Sequence, residues 1–340
     1  MRRQHLGRTA TIAGLVLATL VLVGFQFGIV GHEQSASYRP WVVPPPHTAT
    51  VDIGVTTLPL ARNSWRAWQP SDLETVNSFE RAIRKHVSVI MWYADWAHSN
   101  ISVSQLNAVE RRGSIPEITW EPWDSLARLH RQPQYRLRSI ISGKFDPYIR
   151  SSARAIARFR GPVRIRFAQE MNGNWYPWSE RWNGNRLHDF VRAWRHVHDI
   201  FQAAGATNVD WVWSPAAISI PREEYPGDAY VSMVSLSVFN GGVQLRYNHW
   251  RPFDTVVSRA LARLHAIAPG KPIELSEIGC APGGGDKSAW IARMFSALKR
   301  HPAIKSIVWY DIVKGSDWRV ESSRESAAAF AAGVAGPRYR

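Results

Sequence analysis

The chain has 340 residues, with 42 Lys and Arg against 27 Asp and Glu, a formal net charge of +15. A hydrophobic content of 45% beside 20% charged residues excludes a disordered chain, and a single Cys excludes a disulfide framework or a Cys-rich zinc site. The 35 Arg and 7 Lys are scattered in runs no longer than two, many at helical spacing as in Arg150, Arg154 and Arg158, which reads as a solvated basic surface. An acidic polymer or lipid headgroups remain open as partners of that charge. No nucleic-acid motif is present, and nucleic acid is not expected.

The chain opens on Arg2, Arg3 and Arg8, followed by Thr9–Gly31, which carries no charge and only Gln26 as a strongly polar side chain. About 20 apolar residues cross a bilayer, and basic residues ahead of such a segment hold the N-terminus in the cytoplasm. Residues 1–31 are therefore expected to be a signal anchor or a signal peptide. The length exceeds the roughly 7–15 residues of a cleavable hydrophobic region, which favours the anchor, while Ser35-Ala36-Ser37 keeps cleavage open. The remainder then lies outside the cytoplasm, membrane-anchored or secreted. Residues 32–47, with Pro44-Pro45-Pro46, read as a Pro-rich linker, and residues 48–340 as the globular part.

In that part, short Val- and Ile-rich runs alternate with amphipathic stretches. The runs are 51–55, 87–92, 115–120, 163–168, 209–213, 234–239, 273–276 and 304–310, the pattern of buried parallel strands. Helices are predicted over 73–85, 103–112, 186–204, 253–268, 288–299 and 322–334. Strands alternating with helices predict an α/β chain, a single (β/α)8 TIM barrel. No GxGxxG follows the first run, which disfavours a dinucleotide fold.

Active sites of such barrels lie at the C-terminal ends of the strands. Those ends read Trp92-Tyr93-Ala94-Asp95-Trp96, Trp120-Glu121-Pro122-Trp123-Asp124, Gln169-Glu170-Met171-Asn172 running on to Trp175 and Trp178, Phe239-Asn240, Glu277-Ile278-Gly279 and Trp309-Tyr310-Asp311. Aromatic rings interleaved with carboxylates and amides suit a sugar, whose ring faces pack on aromatics while its hydroxyls take directional hydrogen bonds. Trp92, Trp120, Glu121, Trp123, Gln169, Asn172, Trp175, Trp178, Phe239, Trp309 and Tyr310 are thus the candidate substrate-binding residues. Glu121, Asp124, Asp95 and Asp311 fit sugar hydroxyls or a neighbouring arginine equally. Glu170 and Glu277 follow the fourth and seventh strands, across the barrel from each other. Retaining glycoside hydrolysis uses two carboxyl groups about 5–5.5 Å apart, one a nucleophile and one an acid/base. The histidines show no metal-ligand spacing, and neither metal nor cofactor is expected.

The segment Arg166–Trp178, with Gln169-Glu170-Met171-Asn172-Gly173 at its centre, resembles the acid/base segment of glycoside hydrolase family 26. Lys271–Gly279 resembles its nucleophile segment, Tyr225–Val231 its approach to strand 6, and Trp309-Tyr310 its strand 8 ending. The resemblance implies a retaining (β/α)8 endo-β-glycanase acting on β-mannan or mixed-linkage β-glucan, with Glu170 as acid/base and Glu277 as nucleophile, and Trp175 and Trp309 lining the sugar site. The sequence departs from the family where Gln169 stands in place of His and Phe239 in place of Tyr. Cys280 reads as a packed thiol. A catalytically weak carbohydrate-binding barrel on the membrane is the alternative.

Overall fold

A computed structural model of the chain describes residues 50–58, 67–127, 131–180, 182–243 and 249–340; the expected anchor and linker, residues 1–47, lie outside them. All eight apolar runs form parallel strands: β1 (Asp52–Thr57), β2 (Val89–Asp95), β3 (Ile115–Glu121), β4 (Val163–Phe167), β5 (Val209–Trp213), β6 (Met233–Asn240), β7 (Ile273–Cys280) and β8 (Ile304–Asp311). They pair in chain order, and β1 pairs with β8 to close the barrel.

The helices are α1 (Leu73–Ile83), α2 (Val103–Glu110), α3 (Leu137–Ile141), α4 (Asp146–Phe159), α5 (Asp189–Ala203), α6 (Phe253–Ile267), α7 (Lys287–Leu298) and α8 (Arg324–Val334). Alternation is broken twice. The β3–β4 connection carries two helices that the sequence reading did not delimit. The β5–β6 connection carries only the 3-10 turns Arg222–Glu224 and Asp228–Tyr230 among its described residues. The arginines at helical spacing are the solvent face of α4; its other face buries Ile149, Ala153 and Ile156. Several helices end on standard signals. Ser102 and Gln105 form a capping box on α2, while Gly113 and Gly205 take positive φ just past α2 and α5.

Side chains alternate across the barrel wall. Outward, Ile90 and Trp92, Ile118 and Trp120, Ile165 and Phe167, Trp211 and Trp213, and Ile307 and Trp309 join one apolar core beneath the helices. Inward, the lumen is polar. Arg164 donates to Asp52 at 2.7 Å, to Glu274 at 2.9 Å and to Ser306 at 3.0 Å. Glu117 lies beside them, its carboxyl held well above the ordinary range by burial and then by the charge of Glu274. At Gly54 a Cβ atom would stand 2.8 Å from the Cβ of Val89, so only glycine fits that level. All eight strands and their core lie between Val51 and Tyr339, within one compact unit, Pro46–Arg340. Among the described residues no helix is long and apolar enough to cross a membrane.

Candidate active site

After β4 the chain turns sharply. Ala168 and Glu170 adopt φ of 48° and 55°, in the left-handed region. Non-glycine residues there cost about 1–3 kcal/mol and cluster at functional sites. The backbone N–H of Glu170 donates to the Ser214 carbonyl at 2.7 Å, and the Glu170 carbonyl accepts from Gly173 N–H at 3.0 Å. Trp175 Nε1 donates to Glu170 Oε2 at 2.8 Å. The indole reaches back because residue 173 is glycine: a Cβ there would lie 2.5 Å from the Trp175 ring.

Glu277 arrives from β7, whose register shifts against β8 between Ser276 and Ile278 and against β6 between Leu236 and Val238. Such irregularities re-aim a side chain. Arg166, fully buried on the lumen side of β4, holds this carboxylate: Nη1 donates to Glu277 Oε1 at 2.8 Å. The rest of the guanidinium is tied down by hydroxyls, with Nε on Ser214 at 2.9 Å, Nη2 on Ser237 at 2.8 Å and Nη1 also on Thr119 at 3.3 Å. A buried arginine with its fork filled is fixed in place, and the Glu277 oxygen is fixed with it. Tyr93 and Tyr310 lie beside Glu277, their hydroxyls pushed far above the ordinary range by burial and then by that carboxylate, so both stay protonated donors.

The Glu170 carboxyl is raised from its ordinary value, first by burial and then by the charge of Glu277; Arg166 and hydrogen bonds from Ser237 and Trp175 oppose the rise. The two carboxyl groups thus feel each other while only Glu277 receives the arginine. Burial and that neighbouring charge together favour the protonated form of Glu170. Trp175→Phe removes a bond that favours the charged form, so the Glu170 carboxyl rises further. The basic limb of the kcat/KM–pH profile then moves to higher pH, and a profile unchanged from wild type contradicts that role. Gly173→Ala has the same effect, because the ring can no longer lie over residue 173.

A third carboxyl lies behind the pair. Glu121 accepts from Gln169 Nε2 at 2.5 Å and Trp123 Nε1 at 3.2 Å, and burial raises it from 4.5 to about 7. Because its folded value exceeds its unfolded one, its contribution to stability is fully present below pH 4.5 and lost as pH rises through about 7, amounting to about 3 kcal/mol. Glu121→Gln abolishes this contribution. The melting-temperature difference between wild type and variant therefore falls from about pH 4.5 to about pH 7 and levels off above it, and a constant difference refutes the assignment.

Several expected sugar contacts are corrected. Trp92, Trp120 and Trp309 sit on the outward faces of their strands, at most 2% exposed. Trp92 stacks on Trp68, Trp120 donates to the Tyr148 hydroxyl, and Trp309 donates to the Trp318 carbonyl. None of the three faces the lumen or the solvent above it. Trp178 is also buried, stacked on Tyr176, with its N–H on the Gln169 carbonyl, so it props the turn rather than binding sugar. Gln169 is fully buried and donates to Glu121, not to solvent or Glu277. Asn172 spends its amide on Ala216 and Ser219, clamping the turn after β4 to the loop after β5. Asp95 and Asp124 cap local turns, and Asp311 accepts from Val320 N–H.

Trp175, Glu170, Glu277, Glu121, Trp123, Phe239 and Tyr310 do come together, Phe239 edge-on to Tyr310 and Trp318. Cys280 is buried, its thiol pushed up to about 12 by burial. Sequence reasoning missed Arg166, Ser214, Ser237, Tyr93 and Trp318. Arg166 carried a legible signal: an arginine alternating with Ile165 and Phe167 in a buried strand requires a carboxylate partner. Beside Trp175, itself 38% exposed, opens a cleft of about 690 Å³ lined by Leu187, Ile218, Pro221 and Glu223.

Fold and site together are those of a closed eight-stranded barrel with two interacting carboxyl groups, Glu170 and Glu277, on neighbouring lumen positions. The model of the family described as Glycosyl hydrolase family 26 matches residues 123–279, the stretch from the end of β3 through Glu277. Endoglucanase H of Acetivibrio thermocellus is 33% identical over 279 residues, covering 78% of this chain and 29% of that protein. Beta-1,3-xylanase TXYA of a Vibrio species is 24% identical over 174 residues, covering 49% of this chain and 36% of that protein. The chain thus spans about a third of these relatives. In fold, it is similar to the catalytic domain of the GH26 endo-beta-1,4-mannanase of Bacillus sp. JAMB-750, with a TM-score of 0.65 at 16% identity, over 86% of this chain and 87% of that one.

Proposed function

We propose that the chain hydrolyses internal bonds of a β-linked polysaccharide, a β-1,4-mannan or a mixed-linkage β-glucan, with retention of configuration. The observation that carries this reading is the asymmetry of the carboxyl pair: Glu277 bound to a buried arginine, Glu170 desolvated with its proton favoured. In the first step the Glu277 carboxylate attacks the anomeric carbon while Glu170 gives its proton to the departing glycosidic oxygen. In the second, the Glu170 carboxylate takes a proton from water, whose oxygen attacks the same carbon and releases Glu277. Trp175 keeps Glu170 aimed through both steps, and its exposed face and the adjoining cleft receive the departing part of the chain.

The named activities of the relatives, an endoglucanase, a xylanase and a mannanase, all concern β-linked polysaccharides and support the substrate class. Residues 9–31, an uncharged apolar stretch preceded by arginines, support placement of the barrel outside the cytoplasm, tethered to the membrane or released from it, where exported polysaccharide is within reach. The test is product analysis of the full chain on mannan, glucomannan, mixed-linkage β-glucan, xylan and cellulose. Cleavage of mannan or mixed-linkage β-glucan to oligosaccharides supports the reading. Binding of a polymer without cleavage replaces it with a carbohydrate-binding barrel.

A further inference from the structure

The end opposite the carboxyl groups is formed by the first residues of the strands and the last residues of the helices. Exposed cations gather there. Arg84 ends α1, Arg111 follows α2, Arg160 ends α4 and Lys299 follows α7, while Arg300 beside it pairs with Asp254 at 2.8 Å. Among the described residues, Arg84, Arg111 and Arg160 make no ion pair with a carboxylate. The acidic residues of this end are mostly engaged: Glu80 is taken by Arg112 and His86, Asp52 by Arg164 and Arg340, and Asp228 receives the Tyr225 hydroxyl. Glu110 is exposed.

Cations at helix C-termini are favoured by the helix dipole, but that does not explain which residue occupies the terminal position. Arg84 and Arg160 adopt φ of 54° and 64°, a conformation in which glycine is unstrained. Gly113 and Gly205 fill the corresponding role after α2 and α5. At two helix ends the chain accepts a strained backbone and keeps a long cation in solvent. β1 also enters the barrel at this end, so the residues preceding Asp52 join the barrel there.

We propose that this cationic base docks on anionic phospholipid headgroups, leaving the carboxyl-bearing end turned away from the lipid. The choice of lipid rests on the outward, membrane-proximal placement proposed above; the charge pattern stands without it, and failure of lipid binding leaves the hydrolytic reading untouched. Each basic side chain near an anionic surface contributes separately and is screened by salt.

The test is co-sedimentation of residues 48–340, which contain the whole barrel but not the apolar segment, with phosphatidylcholine vesicles with and without phosphatidylglycerol. Binding is expected only with phosphatidylglycerol and is lost in high salt. Arg84→Glu, Arg111→Glu and Arg160→Glu together lower partitioning by about 100-fold. The same charge change made near the starts of helices at the other end, Arg186→Glu, Arg251→Glu and Arg324→Glu, lowers it far less. Circular dichroism melts of both variants report folding. No binding to phosphatidylglycerol vesicles, equal loss in the two variants, or retention by alginate in place of vesicles overturns the proposal.

Discussion

Glu277→Ala lowers polysaccharide turnover by about 10⁴-fold or more, because it removes the carboxylate that forms the covalent intermediate in the proposed mechanism. Glu170→Ala lowers it by about 10²–10⁴-fold, and by much less on an aryl glycoside whose leaving group needs no proton. Azide separates the two. It attacks the free substrate face when Glu277 is missing and yields a product of inverted configuration. When Glu170 is missing it resolves the glycosyl-enzyme and yields a retained glycosyl azide. Azide rescue with the same configuration in both variants contradicts the assignment of roles.

The second large effect lies at Arg166, which no sugar needs to touch. Arg166→Leu leaves the Glu277 carboxylate in the lumen without its countercharge and strands the hydroxyls of Ser214 and Ser237. Removing one partner of a buried pair costs about 3–5 kcal/mol, so the melting temperature falls sharply. Turnover falls with it, since the nucleophile loses its anchor. Arg166→Lys keeps the charge but carries its donors on one nitrogen, which cannot span Ser214, Ser237 and Glu277 as the three guanidinium nitrogens do, and so recovers stability more than turnover. Because the charge of Arg166 also holds the Glu170 carboxyl down, the basic limb of the kcat/KM–pH profile moves upward in Arg166→Leu, a change that a purely structural residue does not produce. Paired with Glu277→Gln, the stability loss of Arg166→Leu shrinks, and the difference measures the coupling. Additive losses contradict direct support of the carboxylate.

The strands were legible because strands buried on one face by helices must be apolar runs, and several runs stop at or just before Pro, Asn or Asp, as at Pro122, Pro215, Asn240 and Asp311. The carboxyl pair was legible because both glutamates directly follow such runs. The tryptophans misled for a physical reason. Neighbouring residues of a strand face opposite sides of the barrel wall, so in β2 Tyr93 enters the lumen while Trp92 enters the helix layer. A reading that takes every strand-end aromatic as one face loses this parity. The same parity, applied to β4, would have found Arg164 and Arg166 as lumen residues demanding carboxylates. Other features left no trace in the residue pattern. The register shift that presents Glu277 depends on how β7 meets β6 and β8. The polar lumen is assembled from single residues of many strands, among them Asp52, Thr119, Ser214, Ser237 and Ser306. Gln169, read as a departure from the histidine of the family the segment resembles, hydrogen-bonds Glu121, which is 48 residues away in sequence.

The most direct test of the account is covalent trapping. Incubation of the protein with 2-deoxy-2-fluoro-β-glycosyl fluorides of the gluco and manno series slows hydrolysis of the glycosyl-enzyme and lets it accumulate. Proteolysis and mass spectrometry are predicted to find one added sugar, on the peptide containing Glu277, and none in Glu277→Ala. A label on Glu170 or Glu121, or polysaccharide cleavage with no label on Glu277, would contradict the account.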